Sequence, residues 1–441
     1  MRLLCAILAS ILLIGCAATM MREMEVDGFL PCKDYESALT ELSENEKNFG
    51  DTNRLLYLLN EGALAHYAGE YEASNASFAE AEALIEELYT KSLSRETACA
   101  ITSDNLCPYD GEDYERVLVN VFMALNYLKL GMLDDAAVEA RRIDLKLHLY
   151  TQEYEGENKY RNDAFARYLG GIIYEKAGEP NDAYISYRHA YDAYLDYDAM
   201  FGFEVPDGLK TDILRLAGGL GFDDHLAEYE EEFGIKYDGG AGRGTGEAVL
   251  VIMTGLGPFK REAEASLSFP DDDGKLHTFS VQVPELIERP SLIEGVAVSS
   301  LGESGRLHFD PFLAQDVDRI AFKNMDDGRA KTHLKAWLRA FAKFGATEKV
   351  KDKADTGNVL GNIIVGSIID AGAREITRAD IRCWRTIPKR IYICRMRLDP
   401  GLYDIEVDYI DGGGNSIGTS VIEGIEIVEG AIEIHYFNEF N

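Results

Sequence analysis

Positive charge is scarce in this sequence. Its 44 lysines and arginines face 77 aspartates and glutamates, for a formal net charge of −33. A surface with that balance repels phosphate backbones, which excludes nucleic acid as an expected partner. Long apolar runs are missing too. The two most apolar stretches, Leu3–Ile14 and Asn358–Ala373, are both shorter than the roughly 20 residues that a spanning helix needs. The eight histidines are scattered, with no H-x-x-x-H or H-E-x-x-H spacing of a metal site. The glycine-rich run YDGGAGRGTGE (Tyr237–Glu247) lacks the lysine of a phosphate loop and precedes a strand instead of following one. With 77 carboxylates, a chance acid–base pair carries no weight. The expectation is a chain with no catalytic residue, no metal and no cofactor.

Basic charge at the N-terminus is limited to Arg2, followed by the apolar run and then LIGC, Leu13–Cys16. This resembles the bacterial lipobox. The resemblance implies that the Cys16 thiol is acylated, that the chain is cut before it, and that the new amino group is acylated as well. Several acyl chains, at roughly 0.8 kcal/mol per buried CH₂, make a stable anchor. Ala17, where aspartate would retain an inner-membrane lipoprotein, implies the outer membrane, with the body facing the periplasm. The alternative is an ordinary signal peptide with a chance cysteine. The expected boundaries are a signal peptide at 1–15 and a lipid-anchored tether at 16–27. Beyond Cys16 lie Cys32, Cys99, Cys107, Cys383 and Cys394, in a compartment that permits disulfides. Cys99 and Cys107 would close a small loop around Ser103, Asp104 and Asn105. A hairpin turning at Pro388 and Lys389 would set Cys383 opposite Cys394. Buried free thiols are the alternative for both pairs.

What is abundant is a repeating helical pattern. Aligned on a turn glycine, three units fall into register. They are Gly62, Gly69, Tyr71, Phe78 and Ala81; then Ala124, Tyr127, Gly131, Leu133, Ala136 and Ala140; then Gly171, Tyr174, Gly178, Ala183, Tyr187 and Ala190. Small residues sit where two helices cross, and the turn glycines supply the left-handed φ that ends a helix. The pattern resembles the tetratricopeptide repeat (TPR), although the glycines lie 62 and 47 residues apart instead of about 34. A half-unit with Tyr35, Ala38 and Leu42 precedes them, and a degenerate unit at Leu216–Gly234 follows, as terminal caps do.

After a glycine-rich linker at 236–246 the period changes to two. AVLVIMTG reads as a buried strand, and LHTFSVQV places Phe279, Val281 and Val283 on one face. Helices are expected from Pro311 to Phe344. In LYDIEVDYI, Tyr403, Ile405, Val407 and Tyr409 alternate with Asp404, Glu406 and Asp408, and GAIEIHYF repeats the alternation. The expected fold is multidomain, α then α+β. A TPR-like α-solenoid (28–235) leads to an α+β domain (247–375) and a β-rich C-terminal module (376–441), which resembles the small β-sandwich modules of bacterial surface proteins.

Three segments carry a wider resemblance: ALNYLKLGMLDDAAVEARRID (Ala124–Asp144), YLGGIIYEKAGEPNDAYISYRHA (Tyr168–Ala190) and ADIRCWRTIPKRIYICRMRLDPGLYDI (Ala379–Ile405). With the lipobox, they resemble a family of bacterial envelope lipoproteins with TPR-like repeats. The resemblance implies no catalytic activity. It implies envelope protein partners and genes that sit near those for other envelope lipoproteins, including activators of peptidoglycan synthases, hence envelope or cell-wall assembly. The expected function is a non-enzymatic outer-membrane lipoprotein that scaffolds or regulates an envelope complex. The alternative is a carrier that holds an apolar ligand or lipid in the repeat groove.

In tetratricopeptide arrays the first helix of each unit lines the concave face. The matching positions are Leu56, Leu59, Ala63, His66 and Tyr67; Leu118, Val121, Leu125, Leu128 and Lys129; and Phe165, Tyr168 and Ile172. So long an apolar strip is expected to be covered, by the protein's own C-terminal half or by a helical partner. Two internal candidates exist, and the alternative is that the second, a helix, packs on the sheet of its own domain with its basic stripe facing water. One is Val359–Ile369. The other is the helix at Ala330–Phe344, where Lys331, Lys335, Arg339 and Lys343 line one side and Leu334, Trp337, Leu338 and Phe341 another. Arg141 and Arg142 point about 100° apart. One of them is expected to pair with a carboxylate such as Glu115, with anion binding as the alternative. Arg382, Trp384 and Arg385 form either a cation–π recognition surface or a structural hairpin whose tryptophan closes the sandwich.

Overall fold

The computed structural model describes residues 26–101, 107–153, 160, 162–239, 244–270, 276–303, 305–345 and 379–441. The helical period of the first half becomes a run of helix pairs. A single helix, α1 (Tyr35–Glu44), opens it, N-capped by Asp34, whose side chain accepts from Ser37 N. Then come α2 (Arg54–Ala68) with α3 (Tyr71–Ile101), α4 (Asp113–Lys129) with α5 (Leu133–Glu153), α6 (Ala164–Lys176) with α7 (Pro180–Phe201), and α8 (Asp207–Leu220) with α9 (Asp223–Phe233). The turns within the pairs carry Gly69, Gly131, Gly178 and Gly221 at φ of 82°, 71°, 75° and 72°. The half-unit is α1, and the degenerate unit is the pair α8/α9.

Close crossing inside a pair requires a missing Cβ. An added Cβ on Gly171 would lie 2.4 Å from ring carbons of Tyr187, and one on Gly62 would lie 2.7 Å from the Phe78 ring. Tyr187 is fully buried, so its ring cannot swing aside. Gly171→Ala is therefore expected to destabilise by about 1–3 kcal/mol through overpacking. Gly219→Ala, on α8 with open space around it, is expected to be neutral or to gain up to about 1 kcal/mol from helix propensity. Chemical denaturation of the two variants side by side checks this. Equal midpoints would remove the crossing argument.

The second half contains β1 (Gly246–Leu256), β2 (Phe259–Pro270), β3 (Leu276–Ile287), β4 (Gly295–Gly302), β5 (Gly305–Phe309) and β6 (Phe312–Asp316). Next come α10 (Val317–Gly345), β7 (Pro388–Leu398), β8 (Gly401–Ile410), β9 (Ser416–Ile427) and β10 (Ile432–Glu439). Two four-stranded sheets form, ordered β10-β1-β7-β6 and β5-β4-β8-β9, and β2 and β3 pair as a separate hairpin. β1 runs parallel to β10, with Val251 beside Tyr436, and antiparallel to β7, with Val251 beside Ile393.

Strand alternation explains the layering. In β1, Val249, Val251 and Met253 join the core of the helical array, while Ala248, Leu250 and Ile252 join the core between the two sheets. A strand buried on both faces reads as a continuous apolar run. In β8, Tyr403, Ile405, Val407 and Tyr409 are buried and face the first sheet, as the alternation predicts. The layers are thus helical array, first sheet, second sheet. Both sheets draw strands from either side of the expected 375/376 boundary, so the sandwich is not a terminal module of its own. Among the described residues no helix is long and apolar enough to cross a membrane.

The cysteine expectations part company. Cys107 is disulfide-bonded, and the side chain of Cys99 lies outside the described residues. Cys383 and Cys394, by contrast, are buried free thiols. No hairpin turns at Pro388, because β7 starts there and runs on through Cys394. Cys394 packs between the sheets. Cys383 sits near Lys260 and Glu115, its thiol pushed up to about 11 mainly by burial.

Candidate functional site

The concave face of the array is filled. Leu56, Leu59, Ala63, His66, Tyr67, Leu118, Val121, Leu125, Phe165, Tyr168 and Ile172 are buried, and Leu128 and Lys129 are half-buried. What covers them is Val249, Val251 and Met253 of β1, Ile391 and Ile393 of β7, Ile432 and Ile434 of β10, and the lead-in residues Trp384 and Ile387. The helix at 330–344 is not the occupant. α10 packs against β3, β7 and α3, and the side chains of Lys331, Arg339 and Lys343 lie outside the described residues, as does all of Val359–Ile369.

Trp384 is the anchor of this contact. It is fully buried, with ring centroids 5.8 Å from Phe78 and 5.6 Å from Phe122. Its indole N–H donates to Thr386 Oγ1 at 2.9 Å, and Thr386 Oγ1 donates to Asn60 Oδ1 at 3.0 Å. Tyr67 OH donates to the Thr386 carbonyl at 2.8 Å. The Trp384 backbone N–H donates to Glu115 at 2.8 Å, and Glu115 also accepts from Tyr109 OH and Glu112 N. Burial raises Glu115 above its usual range.

Each flanking arginine has its own acceptor. Arg382 grips Asp380 with Nε and Nη2 (2.8 and 2.7 Å), donates to the Cys107 carbonyl at 2.8 Å, and lies over the Tyr109 ring. Arg385 and Arg289 share Asp27, at 2.6 and 3.0 Å. The structure thus places Arg382, Trp384 and Arg385 against groups of the same chain, in a segment that leads into β7 and not in a hairpin. Arg141 pairs with Glu179, and Arg142 with Glu139 at 3.0 Å, so neither reaches Glu115. The reason is geometric. Both arginines are exposed on α5, whereas Glu115 is fully buried on α4.

A second polar cluster went unread in the sequence. Arg395 reaches Glu175 at 2.9 Å, Asp212 at 2.7 Å, Glu247 at 2.5 Å and Tyr187 OH at 3.0 Å. Arg397 adds Glu247 and Asp212, and Arg215 adds Glu175. The available signal was CRMRL, Cys394–Leu398, with two arginines on one face of an apolar strand in an acidic chain. His66, fully buried, stacks on Tyr436 with centroids 4.4 Å apart. Asn126 Nδ2 donates to Ser74 and Asn75, so its Oδ1 accepts from His66 Nδ1 at 2.6 Å. That fixes the Nδ1–H tautomer, and burial lowers His66 to about 4.

No protein-family model matches this chain, and no characterised protein matches it in sequence. Two crystal structures of kinesin light chain TPR-like repeats from Podosopora anserina are similar to its helical part. They share 10% and 11% identity over 48% of this chain and 92% and 91% of their own, each with a TM-score of 0.31. The repeat reading of this chain stands on its own helix pairs and turn glycines.

One further motif lies outside the groove. Gly414–Gly418 spells G-x-S-x-G, the spacing of a nucleophile elbow. It lies in the β8–β9 hairpin, between two strands, where an elbow needs a strand followed by a helix. Ser416 Oγ donates there to Asp408 and the Gly418 carbonyl. Among the described residues no group of three or more His, Cys, Asp or Glu is arranged to hold a metal ion.

Proposed function

We propose that this protein is an outer-membrane lipoprotein, anchored through Cys16 and facing the periplasm. It acts without catalysis, as a protein-interaction scaffold within an envelope complex that serves cell-wall assembly. The observation that carries the scaffold reading is how the buried polar groups of the groove are used. Glu115, Arg382, Arg385 and Arg395 each bind a group of the same chain across the contact between helices and sheets: the Trp384 N–H, the Cys107 carbonyl, Asp27 and Asp212. That is the use a rigid support makes of such groups, whereas an enzyme would aim them at a substrate. The carrier alternative loses its space, because Trp384, Ile387 and Ile391 occupy the groove.

The anchor reading rests on the lipobox, and it has a geometric consequence. Val26 and Asp27 are buried, so the expected tether is shorter than 16–27. Ten residue steps from Cys16 to Val26 span at most about 35 Å, which holds the body close to the bilayer. Cys16→Ser is expected to release the protein into the soluble periplasmic fraction or to leave an unprocessed precursor. Fractionation and the mass of the N-terminal peptide read this directly. Normal processing and membrane retention in that variant would end the anchor reading. Crosslinking followed by purification from the membrane fraction tests the scaffold separately. A stoichiometric envelope protein is expected, and recovery of the chain alone would refute it.

A further inference from the structure

With the concave face used internally, a partner must meet another surface. The strongest candidate is an outer groove between α3 and α5. Ile85 and Tyr89 recur along α3, and Arg142, Leu145 and Leu149 along α5, at the three-, four- and seven-residue spacings that keep side chains on one helix face. Tyr89, Leu145 and Leu149 are 47%, 61% and 43% exposed, large values for apolar side chains that converge. Between them lies a pocket of about 140 Å³. Its size decides the class of occupant. A dry cavity of about 150 Å³ holds a benzene ring, so this one matches a single phenylalanine- or leucine-sized group.

The charges around it are not equivalent. Lys146 at the floor is satisfied by Glu82 at 3.0 Å, Asn120 Oδ1 at 2.7 Å and the Arg116 carbonyl at 2.9 Å. Arg116 is held by Asp113 at 3.2 Å and Asp110 at 3.4 Å. Arg142 differs. Only its Nη1 is engaged among the described residues, by Glu139, and its side chain is 48% exposed. On the opposite rim the exposed Glu86 disfavours an anion. The pocket therefore offers an apolar hole with one available cation on the α5 side, in a chain of net charge −33.

We propose that the groove between α3 and α5 is the docking site of a partner protein, which seats one large apolar side chain there and sets a neighbouring carboxylate against Arg142. This rests on the scaffold reading and specifies its contact surface. The test uses 3-phenylpropanoate, which carries one ring and one carboxylate, titrated into the full-length protein with methyl-labelled leucines. The Leu145 and Leu149 methyl signals should shift on saturation. The neutral 3-phenylpropanamide should bind about two- to fivefold more weakly, the range that an exposed ion pair supplies, and Arg142→Gln should erase that difference. Leu149→Asp, at a 43% exposed position, should abolish binding of both probes without changing the melting temperature, and should also remove the envelope protein crosslinked to the wild-type chain. Unshifted Leu145 and Leu149 signals, an acid preference that survives in Arg142→Gln, or equal recovery of the crosslinked protein from Leu149→Asp would each overturn the proposal. Dodecanoate binding more than tenfold tighter than 3-phenylpropanoate would make this an acyl-lipid site and overturn it as well. A crosslinked partner that ignores Leu149→Asp leaves the scaffold reading intact and moves its contact elsewhere.

Discussion

Arg395→Met is expected to lower the unfolding free energy by about 3–5 kcal/mol at neutral pH, the usual cost of breaking a buried ion pair from one side. Methionine preserves much of the side chain's volume. Among the described residues, it leaves the charges of Glu175, Asp212 and Glu247 to Arg215 and Arg397. Burial alone would raise Glu175, but Arg395 and Arg215 together hold it at about 2, below its ordinary 4.5. A folded-state value below the unfolded one contributes stability above about pH 4.5, and that contribution is lost as the pH falls toward 2. In the variant the downward pull on Glu175 weakens. The deficit relative to wild type should therefore be largest at pH 7 and should shrink between pH 5 and 3. Urea unfolding at pH 7 and pH 4 reads both effects. An equal deficit at the two pH values would show that Arg395 acts through packing alone.

Trp384→Ala should be as damaging, by about 3–5 kcal/mol, through a different route. The indole fills the space between Phe78 and Phe122, and its removal opens a cavity at the centre of the contact. It also takes a donor from Thr386 Oγ1, within a chain of hydrogen bonds that ends on Asn60. Trp384→Phe keeps most of the packing and drops the indole N–H, so it should cost less, about 1–2 kcal/mol. Denaturation midpoints of the two variants separate packing from hydrogen bonding. A Trp384→Ala midpoint unchanged from wild type would mean that the segment 379–387 is not what holds the sheet to the helices.

Local features were the legible ones. Turn glycines, small residues at crossings and the alternation in β8 all act within a few residues of their cause, so Gly131 and Ile405 could be placed from sequence. The apolar groove was legible as a list of positions, because each helix declares its own buried face. Its occupant was not legible. Val251 could face helices or sheet with equal sense until its neighbours Ile393 and Tyr436, both distant in sequence, were known. The same gap misled the reading around Pro388. A proline followed by lysine between two cysteines looks like a turn, but pairing with Leu256 of β1 makes Pro388 the first residue of β7. Arg395 was hidden for a related reason. Its three carboxylate partners lie on α6, α8 and β1, far apart in the chain.

The pairing of β1 with both β7 and β10 sets an order of events during folding. The helix pairs depend on contacts between near neighbours, so they can form early. The sheet that covers them cannot close at the same time. β1 is made first and lacks both neighbours until the segments around Ile393 and Tyr436 have emerged. During that interval the strip from Leu56 to Ile172 is exposed to other chains, together with an unpaired β1, and such intermediates are prone to aggregate. A chain truncated before Ile432 should keep its helices and still be trapped in that state. For this molecule the expected point of contact with chaperones is the unfilled groove of the folding intermediate, a surface that the finished protein no longer displays.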